Sequence, residues 1–182
     1  MGTSSVAGPP PAPPSAEIRA LVAVQVAIGR PAAVAGARGM SLFGEHAAGW
    51  LALGVLGAVL DRPRRRDWLT AAAGVAFAHG ASIGVKRVVR RPRPAHPSVA
   101  VLVGTPSRLS FPSAHATSTA AAALLYGGLV RRPLAAAVVA PMALSRLVLG
   151  VHYPSDVVAG SALGAAVALL TRRFLTNPPE NR

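Results

Sequence analysis

The chain has 182 residues, of which 52% are hydrophobic and 14% charged, with a mean hydropathy of +0.44 and no cysteine. That length suits one domain, and so apolar a composition excludes an ordinary soluble one; it fits an Ala-rich bundle of membrane-crossing helices. The net charge of +13 does not point to nucleic acid, because the arginines punctuate apolar runs, a placement that suits lipid headgroups and cytoplasmic loops.

Residues 1–15 are small, Pro-rich and uncharged and read as a disordered tail. Residues 16–174 read as a single membrane domain, and 175–182 as a polar C-terminal tail. From Glu17 to Arg38 the chain is apolar but broken by Arg30-Pro31. Its first part has helical periodicity at Ile18, Leu21, Val22 and Ile28, and it reads as an interfacial helix in preference to a sixth span. The first clear span covers Leu42 to Leu60, closed by the four arginines of Asp61–Asp67. Trp68–Val85 is the second, with His79 inside it, where bonding to a neighbouring helix is expected in preference to a catalytic role.

Arg87–Ser110 is a polar, Pro-rich loop. Ala114–Val130 is the third span, with Ser113 placed as its N-cap. Pro133–Leu149 is the fourth, kinked near Pro141. After the turn Gly150–Pro154, Ser155–Leu170 is the fifth, closed by Arg172-Arg173. Gly160 and Gly164 form a GxxxG in it, suited to close helix approach within the bundle or to a homo-oligomer. The fold class is therefore all-α: five spans plus an N-terminal interfacial helix.

The runs Asp61–Asp67, Arg131-Arg132 and Arg172-Arg173 fall at one set of helix ends, which the positive-inside rule makes cytoplasmic. Lys86, Arg93, Ser113, His115, Arg146, His152 and Asp156 fall at the other, outward face. Lys86 is the one lysine among nineteen basic residues, which invites a specific role. Arg146 interrupts an apolar span, where a cation costs roughly 2.5–3.5 kcal/mol and needs a partner: a carbonyl, Asp156 or a phosphate. His152 and Asp156 are four apart across a helix start, so the carboxylate can orient the imidazole as a nucleophile. His115, in the first turn of its helix, is placed to act as an acid. The six acids, Glu17, Glu45, Asp61, Asp67, Asp156 and Glu180, are too scattered for the carboxylate cage that Mg²⁺ or Ca²⁺ needs, so no metal or other cofactor is expected. Arg87, Arg90 and Arg91 read as contacts to lipid phosphates, with Arg87 and Arg90 also candidates for substrate. Glu45 and His46 either contact substrate hydroxyls or cap the first span.

These residues carry a resemblance. Lys86 to Pro94 reads K-x₆-R-P, Pro112 to His115 reads P-S-x-H, and Ser145-Arg146 with His152 and Asp156 reads S-R-x₅-H-x₃-D. In this order and spacing they resemble the three-part signature of the type 2 phosphatidic acid phosphatase (PAP2) superfamily, shared with vanadium haloperoxidases. The resemblance covers about Trp68 to Leu170. It implies a metal-independent membrane phosphatase in which Lys86, Arg93 and Arg146 bind phosphate, with Ser113 and the amide of Ala114 adding hydrogen bonds. His152 would attack phosphorus to give a phosphohistidine, supported by Asp156, and His115 would protonate the leaving group. Where the family usually has Gly, this chain has Ala114, which still supplies the backbone N–H. The stretches Gly104–Thr119 and Ser145–Val157 further resemble members acting on polyprenyl-linked sugar phosphates in cell-wall arabinan synthesis. The expected site is the outer face of the plasma membrane. The alternatives are a phosphatidic acid, phosphatidylglycerol phosphate or polyprenyl diphosphate phosphatase, and a non-catalytic lipid-phosphate binding or transport protein.

Overall fold

The computed structural model describes residues 13–176, so most of the tail predicted for residues 1–15 and the end of the C-terminal tail lie outside the described residues. Residues 13–15 run directly into the fold, with the Ser15 side chain accepting from Ile18 N–H as an N-cap. The helices are α1 (Ala16–Ile28), α2 (Pro31–Gly44), α3 (Ala48–Leu60), α4 (Arg65–Val89), α5 (Ala114–Leu129), α6 (Leu134–Val148) and α7 (Pro154–Thr176).

The apolar stretch 17–38 is two helices, not one. Arg30 is extended and Pro31 starts α2 at its first position, where a missing N–H costs nothing. The α2 helix then runs on to Gly44, taking in Leu42–Gly44, which the sequence assigned to the first span. Between α2 and α3, Glu45–Ala47 form a tight turn in which His46 (φ 49°) and Ala47 (φ 60°) are left-handed. Two adjacent non-glycine residues in that region are strained, so packing must hold the turn in place. Together, Pro31–Leu60 make one kinked, apolar candidate span; Arg62–Val89 and Pro154–Leu175 make two more, and Leu134–Val148 is a shorter apolar helix. The α7 helix continues past Arg172-Arg173 instead of ending before them.

The α5 helix is the axis of the bundle. Residues 116–123 and 125–127 are all buried, and most are Ala, Ser or Thr, so neighbouring helices approach closely. Its inner half packs with Ala71, Val75 and Ala78 of α4, Trp50 and Ala58 of α3, and Val167 and Ala168 of α7. Trp50 donates to Thr119 Oγ1 (3.0 Å), and Tyr126 OH donates to the Trp50 carbonyl (2.9 Å). Phe77, Val59, Leu60, Val158, Leu169 and Phe174 are exposed on the outside, the pattern of a lipid-facing surface. The basic runs meet at one end, where Arg64 donates to Leu129 O (2.6 Å) and Arg172 to Leu124 O (2.5 Å).

The Gly160 and Gly164 face of α7 is filled from within. A Cβ on Gly164 would lie 2.1 Å from the Thr117 carbonyl oxygen, and one on Gly160 2.6 Å from that of Ser113. This face is therefore spent on α5 and is not open to a second copy, which corrects the oligomer expected through it. Gly164→Val should force α5 and α7 apart at a cost of about 1–3 kcal/mol or more, read as a lowered Tm in detergent.

The α1 helix lies across the opposite end of the bundle. Glu17 accepts from Ser155 Oγ (2.6 Å) at the start of α7, while Gln25 donates to Val148 O (3.0 Å) at the end of α6 and to Ala100 O (2.7 Å) in the 90–113 loop. Both ends of a 13-residue helix, about 20 Å long, thus touch the same end of the bundle, which sets aside the sixth-span alternative.

Candidate active site

A cavity of about 320 Å³ opens at the end of the bundle that carries α1. It is built by the C-terminal half of α4, the start of α5, the end of α6, the turn after it, the 104–109 loop and the α2–α3 turn. Of the residues singled out in the sequence, Lys86, Arg87, Arg93, Ala114, His115, Arg146, His152, Glu45 and His46 line it.

His152 is 3% exposed and Asp156, one turn into α7, is fully buried. The imidazole Nδ1 lies 3.5 Å from Asp156 Oδ2, too far and off line for a good hydrogen bond, so this buried nitrogen has no partner that meets hydrogen-bond geometry. Nε2 faces the cavity side, 3.3 Å from Arg93 Nη1. Burial pushes the His152 pKa down to about 3 against the pull of Asp156, with Arg93, Arg146 and Lys86 adding to the depression. The ring is therefore neutral at pH 7.

Arg93 is fixed from both sides. Its Nε donates to Ser107 O (2.8 Å) and its Nη1 to Val151 O (2.6 Å), and burial lowers its pKa. Arg146 is 2% exposed, yet its Nε and Nη1 have no partner. Neither of the protein partners expected for it is in place: Asp156 is engaged by Arg91 (2.9 Å), by Tyr153 N–H (2.8 Å) and by His152. A buried guanidinium with unmade hydrogen bonds is costly unless an anion comes to it.

Lys86 is held differently from a free phosphate ligand. Its Nζ donates to Pro112 O (2.5 Å) and Ser110 O (3.1 Å), with Leu109 O at 3.5 Å. These carbonyls pin the turn that leads into α5, so Lys86 sets the shape of the cavity wall and offers its charge from within it. Ser113 does not line the cavity. Its fully buried hydroxyl caps α5 by accepting from Ala116 N–H, and its own N–H donates to Asp156 O (2.9 Å). His115 donates from Nε2 to Ser41 O (2.9 Å), since a carbonyl only accepts. Ser41 belongs to α2, and Gly44 lets that helix pass so close that a Cβ there would sit 2.7 Å from the His115 ring.

Three expectations fail. Arg90 is the left-handed cap of α4 and does not line the cavity. Arg91 turns inward instead of toward lipid phosphates: it pairs with Glu17 and Asp156, donates to Ser155 Oγ (2.7 Å) and stacks over Tyr153, 4.0 Å from the ring centre. His79 is not bonded to a neighbouring helix; its buried Nδ1 has no partner and it lines the cavity. Among the described residues, no three His, Cys, Asp or Glu side chains converge on a point that would hold a metal ion.

The sequence profile of the PAP2 superfamily matches residues 67–179. The chain belongs to the PAP2 superfamily. It is 58% identical over 158 residues to the decaprenylphosphoryl-5-phosphoribose phosphatase of Mycobacterium tuberculosis (strain ATCC 25618 / H37Rv), covering 86% of this chain and 89% of that one. Identity to the Mycolicibacterium smegmatis protein of the same name is 60% over 148 residues, 81% of this chain and 82% of that one. The crystal structure of a transmembrane PAP2-type phosphatidylglycerolphosphate phosphatase from Bacillus subtilis superposes with a TM-score of 0.70 at 23% identity, covering 90% of this chain and 88% of that one. That likeness is one of fold; with three helices among the described residues long and apolar enough to cross a bilayer, this PAP2 protein is an integral membrane protein built of helices over those residues.

Sequence reading missed Glu17 and Arg91 behind Asp156, and Ser41, His79, Ile83 and the 104–109 loop in the wall. Arg91 was hidden in a run of arginines. Glu17 had a signal, because an acid is scarce here and each has a cation to meet. His79, Ile83, Lys86 and Arg87 recur at helical spacing, so one face of α4 already grouped them. Arg91 holds its charge because Glu17 and Asp156 outweigh the cost of its burial. Arg91→Gln removes a cation beside the Asp156–His152 pair, so the His152 pKa should rise toward the ordinary histidine range. The acid limb of the rate profile should move to higher pH, with a kcat loss of about ten- to a hundredfold on the scale of groups one shell behind a reacting imidazole. A pH–rate series on the purified variant checks it.

Proposed function

We propose that this PAP2 protein is a metal-independent membrane phosphatase that removes phosphate from a polyprenyl-phosphoryl sugar phosphate, decaprenylphosphoryl-5-phosphoribose or a close analogue, in cell-wall arabinan synthesis. The observation that carries the chemistry is Arg146: a buried guanidinium with unpartnered nitrogens lining the same cavity as the neutral His152. The substrate class rests on 58–60% identity to phosphatases of that name over more than four fifths of this chain.

In this reading Arg146 and Arg93 take the phosphoryl oxygens, and Lys86 and the Ala114 amide add positive potential from the wall. His152 Nε2 attacks phosphorus. The N–P bond forms as the bond to the ester oxygen breaks, and Asp156, steadied by Arg91, stabilises the charge that develops on the ring. His115, with Nε2–H kept on Ser41 O, acts as the imidazolium and gives its Nδ1 proton to the departing alcohol oxygen. Water then attacks the phosphohistidine, His115 takes a proton from it, and inorganic phosphate leaves with His152 restored. Uncatalysed monoester hydrolysis is so slow that this arrangement must supply upwards of roughly 20 kcal/mol. Residues 16–174 act as one catalytic domain, and the positive-inside rule puts the cavity on the outer face of the plasma membrane.

The test is phosphate release by purified protein in detergent with EDTA, offered decaprenylphosphoryl-5-phosphoribose, phosphatidic acid, phosphatidylglycerol phosphate and a polyprenyl diphosphate. The first should give the highest kcat/KM. A higher value for one of the others would replace the substrate, and no turnover of any would leave a lipid-phosphate binding protein.

A further inference from the structure

The cavity extends beyond the residues needed for phosphate chemistry, and this part also has unmade polar contacts. Past His115 the wall is Ser41, Glu45, His46, His79 and Ile83. His79 lies seven residues before Lys86 on α4, about 10 Å along the helix axis. Its Nδ1 is buried without a partner. The His46 ring faces it across 6.4 Å between centroids, tilted by 55°. Glu45 stands beside them, with Oε1 3.8 Å from His46 Nδ1. The backbone that presents His46 is left-handed at that residue and the next, a strained conformation that aims the imidazole at the cavity mouth.

Attack at phosphorus is in line, so the alcohol must depart on the side opposite His152. If His115 protonates it, the alcohol lies on the His115 side, where these groups are. Two imidazoles and a carboxylate offer donors and acceptors to hydroxyl groups, and rings 6.4 Å apart leave room for one oxygen to meet a nitrogen from each. An acyl glycerol phosphate would leave those groups unmatched, whereas a sugar would satisfy them. A buried polar group left unpaired on binding the wrong ligand is what makes such a site selective.

We propose that His79, with His46 and Glu45, forms the subsite that binds the hydroxyls of the departing sugar, and that His79 is the specificity-determining residue of this set. The inference rests on the function proposed above and deepens it. His79 acts by binding the alcohol, not by transferring a proton.

The experiment measures kcat/KM for decaprenylphosphoryl-5-phosphoribose and for phosphatidic acid in the same micelles, for wild type, His79→Leu and His79→Asn. His79→Leu should lower the ratio of the first to the second by about tenfold, the loss expected for one hydrogen bond to substrate. His79→Asn, which keeps a donor and an acceptor on a short side chain, should recover part of it. An unchanged ratio in His79→Leu, whether both activities hold or fall together, overturns the subsite while leaving the phosphatase intact. A wild type that shows no preference for the sugar phosphate overturns the substrate reading itself and the subsite with it.

Discussion

His152→Ala should remove phosphate release by a factor on the order of 10⁶, the scale for losing a nucleophile that no neighbouring group replaces. Rapid quench with substrate labelled in its phosphate should show an acid-labile, alkali-stable label on wild-type protein and none on the variant. The buried ring adds a second expectation. With its pKa pushed down to about 3, His152 is an unprotonated nucleophile across pH 5–8, so the amplitude of labelling should be flat in that window and fall only toward pH 3. A labelling midpoint near the ordinary histidine value would mean that the ring is solvated and the cavity more open than the structure has it. Retention of more than about one part in a hundred of the activity would move the nucleophile elsewhere.

Arg146→Met should produce opposite changes in activity and stability. The guanidinium is buried with Nε and Nη1 unpartnered, so the unliganded protein bears its desolvation without return. An apolar side chain of similar length should stabilise that state by about 1–4 kcal/mol, as replacing buried ionic groups often does, and raise Tm in detergent. The same change withdraws a preorganised donor from the phosphoryl oxygens and should cost about 10²–10³ in kcat. Phosphate or a phosphate analogue should raise the Tm of wild type and leave the variant unmoved, by the mass action of a ligand that binds only the folded state. A variant that is both inactive and less stable would show that Arg146 has a structural partner, against the geometry described above.

That Lys86, Arg93, His115, Arg146 and His152 gather around one cavity was legible in the sequence because these residues sit at fixed spacings. Lys86 to Arg93 runs from the last turn of α4 into the loop after it, Ser113 to His115 spans the start of α5, and Arg146 to Asp156 spans the end of α6, a short turn and the first turn of α7, so short local geometry sets where each group is held. What was not legible depends on distant pairing. Arg91 could face lipid or turn inward, and the choice is made by Glu17, 74 residues away, which α1 brings over Asp156. Ser113 fits both a phosphate contact and a helix cap, and the structure shows the cap, with its hydroxyl buried and accepting from Ala116 N–H. Glu45 and His46 fitted a cap of the first span, but the left-handed form of the turn was not legible, since neither His46 nor Ala47 is a residue that normally adopts a positive φ. Ser113 and Pro31, by contrast, marked where α5 and α2 begin.

The α2–α3 turn and α1 lie before the stretch that the family profile recognises, which starts at residue 67. Glu17, Ser41, Glu45 and His46 all come from that earlier third of the chain, while the phosphoryl-handling residues come from the later part. The proposed sugar subsite is thus split, with Glu45 and His46 before the profiled stretch and His79 within it. On the subsite proposed above, change at Glu45, His46 or His79 would retune which alcohol is accepted, whereas Glu17 and Ser41 are tied to the displacement at phosphorus through Arg91–Asp156 and through His115, so paralogues with new lipid preferences should differ most at the α2–α3 turn and at position 79.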